Sequence, residues 1–375
     1  MILFLSFLAQ VHCELFAVIE LAREPTTNPR FSLPIIETHK ENLGDISEKG
    51  IQQELSLGQF INQRYGNIIL ETFNENATYF VKNRKSAIAA LNYQIQGIFS
   101  NKLKLKPKPK DYTKDELMLS PEIHCQRLVS LLKSNFLIFE SHPLYTNLTQ
   151  YSYELEPLIG NISVLQVYFL GDFILSYTEQ GLILPFILSK ECQKLVIEIY
   201  HKYHEWLLYG SIEQGKLGFT DLALSITDYL KRLLRPIKSQ RFLPIMMDEG
   251  QFLAFLHFLG LDFTPKPPAA AIFIEIHKYS DRTTFRIFYE NQYVESDTFG
   301  LEHNVDFLID FFNSRVFVGG AKRICNIVKG SIKESMTWRY WTAGAIGVLL
   351  FIMAAYWRRI EPWIIGKKIE EAKKE

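Results

Sequence analysis

One segment limits the architectures open to this chain more than any other. Tyr340 to Trp357, YWTAGAIGVLLFIMAAYW, is a run of 18 residues without a charge. As a helix rising about 1.5 Å per residue it reaches about 27 Å, close to the thickness of a bilayer's hydrocarbon core. Tyr340 and Trp341 stand at one end and Tyr356 and Trp357 at the other, where amphipathic rings favour the membrane–water boundary. Arg358 and Arg359 follow at once, then Lys367, Lys368, Lys373 and Lys374. A buried core helix has no need of that flanking pattern. We therefore expect a transmembrane helix over 340–357 and, from the bias of positive charge, a cytoplasmic tail over 358–375.

The other end of the chain agrees. Residues 1–13, MILFLSFLAQVHC, form an apolar core followed by Glu14, the shape of a short secretory signal peptide that lacks the usual basic start. The competing reading is a first buried strand, but a second apolar run, Leu15 to Leu21, follows immediately. A cleaved signal and one span make a type I protein of the plasma membrane or an endolysosomal membrane, with residues 14–335 in the lumen or outside. Asn76, Asn147 and Asn161 each begin an Asn-x-Ser/Thr acceptor for N-glycosylation. Cys13, Cys125, Cys192 and Cys325 are too far apart for a CxxC metal site. If Cys13 leaves with the signal, at most one disulfide forms within the chain. Lys plus Arg and Asp plus Glu number 41 each, so no charge excess argues for a nucleic-acid partner.

Between these ends the pattern is globular. Leu15 to Leu21 reads as a buried strand, and Gly50 to Tyr65 has helical spacing. The basic, proline-containing stretch 101–116 reads as an exposed loop. Glu191 to Tyr209 and Asp221 to Leu234 carry apolar residues at helical spacing. His201 and His204, three apart on the first of these, have the types of metal ligands but no third ligand nearby, so a solvated helix face is expected and neither metal nor cofactor. Phe242 to Met247 is a short apolar strand, followed by a helix from about Glu249 to Leu259. Ala271 to Tyr279 and Thr284 to Glu290 alternate around Ser280-Asp281-Arg282, as a β-hairpin does, and Val305 to Phe312 is amphipathic. Strands at both ends with helices between them predict one α/β core with a helical insertion.

Several short stretches then resemble one family. Gly50-Ile-Gln-Gln53, Leu57-Gly58 and Arg64-Tyr65 have the spacing found near the start of histidine acid phosphatases. Tyr93 to Phe99 is similar to the helix after that family's R-S-T-D-x-x-R-T segment, and Ala254 to Leu261 to the helix after its H-D pair. Pro267-Pro268, Phe273 to Ile276 and Arg286 to Tyr289 resemble its late strands. The resemblance runs in the family's order from about residue 15 to about 317. It implies a phosphoglycerate-mutase-like, histidine-phosphatase α/β core. A central, mostly parallel sheet is flanked by helices, with a helical cap within about 100–235. In such a protein the histidine of R-H-G-x-R-x-P attacks phosphorus. Arginines and the H-D histidine hold the phosphate, and the H-D aspartate protonates the leaving oxygen.

This chain departs from that pattern where the chemistry lies. Aligned without a gap on Pro29, Arg23 matches the first arginine, Glu24 stands at the nucleophile and Thr27 at the second arginine. With four residues deleted between Ala22 and Arg23, Arg23 becomes the second arginine; the nucleophile is absent either way. The later arginine, counted back from Gly97, falls on Phe80, and the H-D pair on Asp248-Glu249. Asp248-Glu-Gly-Gln251 also has the form of a capping box at a helix start. None of the nine histidines occupies a motif position. The expectation is a membrane-anchored pseudophosphatase that acts by binding a lumenal or extracellular ligand. One alternative is an active acid phosphatase whose motif was lost through a gene-model error. Another is a receptor in which Phe80 and Thr27 make the old pocket more apolar.

Overall fold

The computed structural model describes residues 13–33, 42–72, 77–81, 84–100, 127–128, 130–131, 141–236, 239–261, 264–321 and 323–325. The expected signal peptide up to His12, the 101–116 stretch, Asn76 and the expected span at 340–357 lie outside them. Among the described residues no single helix is long and apolar enough to cross a membrane. The chain divides into two compact units. Of the second, only Arg127 and Arg323 to Cys325 are described, and Cys325 is disulfide-bonded. Cys13 and Cys192 are free.

The first unit opens with strand β1 (Glu14–Arg23), whose last seven residues are all buried. Helix α1 (Glu48–Thr72) leads to β2 (Phe80–Val81) and helix α2 (Lys85–Phe99). A helical insertion follows: α3 (Pro143–Asn147), a 3-10 turn, α4 (Ser152–Ile159), α5 (Val164–Gln180), α6 (Lys190–Tyr209) and α7 (Ile212–Leu233). The chain returns to the sheet as β3 (Phe242–Met247), then α8 (Glu249–Phe258), β4 (Ala271–Lys278), β5 (Thr283–Tyr289), β6 (Gln292–Val294), β7 (His303–Asn304) and α9 (Val305–Ser314). The sheet order is β2-β3-β1-β4-β5-β6, with β7 on β5.

The expected α/β class holds, but the sheet is mixed rather than mostly parallel. β1, β2 and β3 run parallel, while β4, β5, β6 and β7 pair antiparallel. The physical reason is the connections. Each parallel step carries helices, as a crossover must, whereas β4 to β6 are joined by tight turns that only antiparallel strands allow. The sheet and the helices around it share one hydrophobic cluster, and the insertion has its own, built from α4, α5 and α6 around Phe173, Ile199 and Tyr200.

The motif residues explain why this framework closes. Gly58 of α1 and Gly97 of α2 face each other: a Cβ on Gly58 would lie 2.1 Å from the Gln94 carbonyl and 2.9 Å from the Gly97 Cα. Only glycine lets these backbones approach so closely. Glu275 of β4, fully buried, accepts from Arg64 at 2.8 Å, Tyr65 at 2.7 Å and Tyr293 at 2.9 Å. Although burial opposes its charge, His277, Tyr65 and Arg64 hold its pKa down at about 2. Gln53 accepts the Thr26 amide at 3.0 Å, which braces the loop after β1. The stretches that resemble the family are thus largely framework.

Candidate functional site

The carboxyl ends of β1 and β3 lie side by side, because Arg23 pairs with Met247 and the Glu24 amide donates to the Met247 carbonyl at 2.8 Å. That register brings Arg23 and Glu24 beside Asp248 and Glu249. Asp248 is the N-cap of α8: its Oδ1 accepts the Gln251 amide at 2.9 Å. The carboxylate therefore occupies the cluster of amide donors that a helix start offers to an anion.

Each arginine of the site is engaged by the protein itself. Arg23 pairs with Glu249 at 3.1 Å and with Glu179 of α5 at 2.9 Å, and also donates to the Lys266 carbonyl. Arg84, at the start of α2, donates to both Glu24 oxygens at 2.9 and 3.0 Å and stands 3.6 Å from Asp248. The Arg30 amide donates to Asp172 of α5 at 2.7 Å, and its guanidinium lies 3.8 Å from the same carboxylate. Among the described residues, these three arginines meet Glu24, Asp172, Glu179, Asp248 and Glu249. The Arg23–Glu249 pair is shielded from water, its side chains being 7% and 5% exposed, whereas Glu24 at 2% meets an Arg84 side chain that is 28% exposed.

Burial and pairing compete at each group. Burial opposes the Arg23 charge, but Glu249 and Glu179 more than offset it and raise its pKa. Burial likewise opposes ionisation of Glu249, yet Arg23, then His201, His204 and Arg30, hold its pKa below the ordinary carboxylate value. At Asp172 and Glu179 burial wins, and both carboxyl pKa values rise despite Arg30 and Arg23.

The insertion closes over this cluster with α6, and here the expectation of a solvated histidine face is corrected. His201 is half-buried with its Nδ1 3.4 Å from Glu249. His204 is 4% exposed and packs edge-on against Tyr168 and Tyr200. Burial drives its pKa down to about 4, so it is neutral at physiological pH. It fits against α8 because residue 250 is glycine: a Cβ there would lie 2.2 Å from the His204 Nδ1. The spacing of α6 identified the shared face, but not that α5 and α8 cover it. No group of three or more His, Cys, Asp or Glu side chains among the described residues is arranged to hold a metal.

Two further candidates, the uncharged residues at the positions of two family arginines, stand apart from the ion pairs. Phe80 lies in β2, paired with Ile245 and buried in the hydrophobic core. The arginine delivered from this segment is Arg84, four residues on, which counting back from Gly97 missed. Thr27 contributes its backbone: its carbonyl accepts from Ser176 at 2.5 Å and Gln180 at 3.3 Å. Arg30, Asp172, Glu179, Tyr200 and the two histidines were also not legible as site residues. Arg23 and Glu179, for example, are 156 positions apart.

No family profile matches the chain. A curated protein of Caenorhabditis elegans named "Putative acid phosphatase 5" is 22% identical over 274 residues, 67% of this chain and 63% of the relative. The chain thus spans under two thirds of that relative's length. Among solved structures, a Hafnia alvei phytase in complex with tartrate superposes with a TM-score of 0.59 at 12% identity, covering 81% of this chain and 98% of the phytase. A Klebsiella phytase does so with 0.59 at 10% identity, covering 81% and 95%, and a Citrobacter braakii phytase with 0.57 at 12%, covering 81% and 98%. The solved structures establish the fold, the curated relative carries the acid phosphatase name, and the motif order read from sequence agrees with both. The chain shares the fold of these phytases and is similar in sequence to a protein named as an acid phosphatase, in keeping with its resemblance to histidine acid phosphatases.

Proposed function

We propose that this protein is a membrane-anchored pseudophosphatase: a histidine acid phosphatase relative that acts by binding and does not transfer phosphoryl groups. The observation that carries the reading is Glu24. At the end of β1, where the family's histidine is expected, stands a buried carboxylate that takes both its hydrogen bonds from Arg84. A carboxylate of this kind offers phosphorus no imidazole nucleophile. The guanidinium that would grip a phosphate already donates through its Nη2 to both oxygens of this carboxylate. A phosphate dianion entering the cluster would also meet Asp248 and Glu249, and like charges a few ångströms apart cost about 1 to 4 kcal/mol. Asp248 has closed the helix start that would otherwise receive an anion.

The decisive experiment is turnover of p-nitrophenyl phosphate by the purified full chain between pH 4 and 7, with phosphate binding followed by calorimetry. No turnover above background and no phosphate binding are expected. Turnover comparable with an active acid phosphatase overturns the reading and restores the enzyme alternative. The lumenal orientation has its own support in Asn147 and Asn161, both exposed on the insertion. Digestion with peptide N-glycosidase should increase electrophoretic mobility, and N147Q with N161Q should reduce that shift.

A further inference from the structure

The connection between α5 and α6, residues 181–189, reads Gly-Leu-Ile-Leu-Pro-Phe-Ile-Leu-Ser and holds no charged side chain. It is pinned at both ends. Gly181, at φ +75°, ends α5 with its amide on the Thr178 carbonyl at 3.0 Å, and the Leu182 amide reaches the Tyr177 carbonyl at 2.9 Å. At the other end Glu154 accepts from the Ser189 amide at 2.7 Å and from its hydroxyl at 2.9 Å. Between these points the side chains alternate. Leu184 and Phe186 pack on the core of the insertion and Leu188 is buried within it; the Phe186 and Phe173 rings are 5.7 Å apart. Ile183 and Ile187 point outward and are 92% and 95% exposed, with Pro185 exposed between them. Tyr153, beside the anchoring Glu154, is 73% exposed.

We infer that this loop docks into the surface of the bilayer that anchors the chain. The inference rests on the anchored reading above. Three features favour a lipid surface over a protein partner. The outward side chains form a protruding tip, and a fluid phase accommodates a protrusion without a matching cavity. The tip is aliphatic throughout, whereas the centre of a protein interface favours aromatic residues and arginine. Finally, the chain brings its own membrane: the uncharged stretch 340–357 and the basic residues after it lie outside the described structure, and only residues 326–339 separate them from Cys325. The inner anchors Leu184, Phe186 and Leu188 hold the tip in shape, so insertion requires no refolding of the loop.

The test uses the full chain, with Cys13 replaced by serine, reconstituted into phosphatidylcholine vesicles. Nitroxide labels are placed at I183C and I187C, and at D281C in the exposed β4–β5 turn as a water-facing reference. At positions 183 and 187, collisions with oxygen should exceed those with a water-soluble nickel chelate several-fold, and at 281 the order should reverse. Flotation separates the two ideas being tested. Protein that floats with the vesicles but shows 183 and 187 as accessible to nickel as 281 overturns loop docking and leaves the anchor intact. Protein that fails to float overturns both. Spin–spin broadening at 187 would show that a second copy covers the loop, and would also overturn the inference.

Discussion

Replacing Glu20 by glutamine should change how stability depends on pH. Glu20 lies in the middle of β1 with no exposure to solvent, and its Oε1 accepts from Gln94 at 2.8 Å. Burial, only partly offset by that hydrogen bond, pushes its pKa from 4.5 to about 8. The folded protein therefore keeps this proton at pH 7, whereas the unfolded chain has released it. Below about pH 4.5 both states are protonated and Glu20 costs nothing. Above that, stability falls by about 1.4 kcal/mol per pH unit until the folded group also ionises near pH 8. The accumulated loss is about 3 kcal/mol at pH 7 and about 5 kcal/mol at pH 8. Glu20→Gln has the same shape and cannot ionise. It should leave stability near that of the parent at pH 4.5 and exceed it by about 3 kcal/mol at pH 7. At about 2 °C per kcal/mol for a domain of this size, the melting temperature should rise by about 6 °C at pH 7. Circular dichroism melts of the full chain in detergent, at half-unit steps from pH 4 to 8, measure this directly. Glu54, also fully buried and raised well above its ordinary value by burial and then by Glu20 and Glu24, is relieved of the Glu20 charge in the variant, which adds to the difference between the curves in the same direction. Parallel curves for parent and variant would refute the argument.

The remaining expectations concern other parts of the framework. Glu275, held at about 2 within its buried pairs, has the opposite sign: its stabilisation is present above about pH 4.3 and is lost as pH falls toward 2. Arg64→Ala should therefore destabilise by about 3 kcal/mol at pH 7, by taking the guanidinium from a buried carboxylate that keeps only Tyr65, Tyr293 and His277, and by less at pH 3, as read from denaturant titrations. Gly58→Ala places a methyl against the α2 backbone, which cannot move aside as a side chain could, and should cost about 2 to 3 kcal/mol in the same assay. Asp248→Ala removes the N-cap of α8 and should cost about 1 kcal/mol, while Asp248→Asn retains most of it.

Local pattern was enough for much of the scaffold. Strand β3 has the bounds its apolar run predicted, and the hairpin of β4 and β5 turns at Ser280 to Arg282, with the Tyr279 amide on the Arg282 carbonyl at 2.8 Å. The capping role of Asp248 was legible because a cap needs only its own helix start. Period alone under-read α7, which begins at Ile212 rather than Asp221, because glycines at 215 and 218 interrupt the apolar signal. Ser211 supplies its cap by accepting the Gln214 amide at 3.2 Å.

The site was legible only in part, and the limit is physical. Sequence by itself determined that no histidine follows β1 and that Glu24, Asp248 and Glu249 stand at the ends of strands, because side-chain identity and strand ends are local. It assigned the later arginine's position to Phe80 and passed over Arg84, since that choice depends on where the chain leaves β2. Nor could it show that Asp172, Glu179 and the α6 histidines close over Arg23 and Glu249, because those contacts join segments far apart in the chain. Tertiary structure decided that His204 is buried and neutral and that each arginine of the cluster is already paired. Burial and distance set the energy of a charge, and both exist only once the insertion has packed over the sheet.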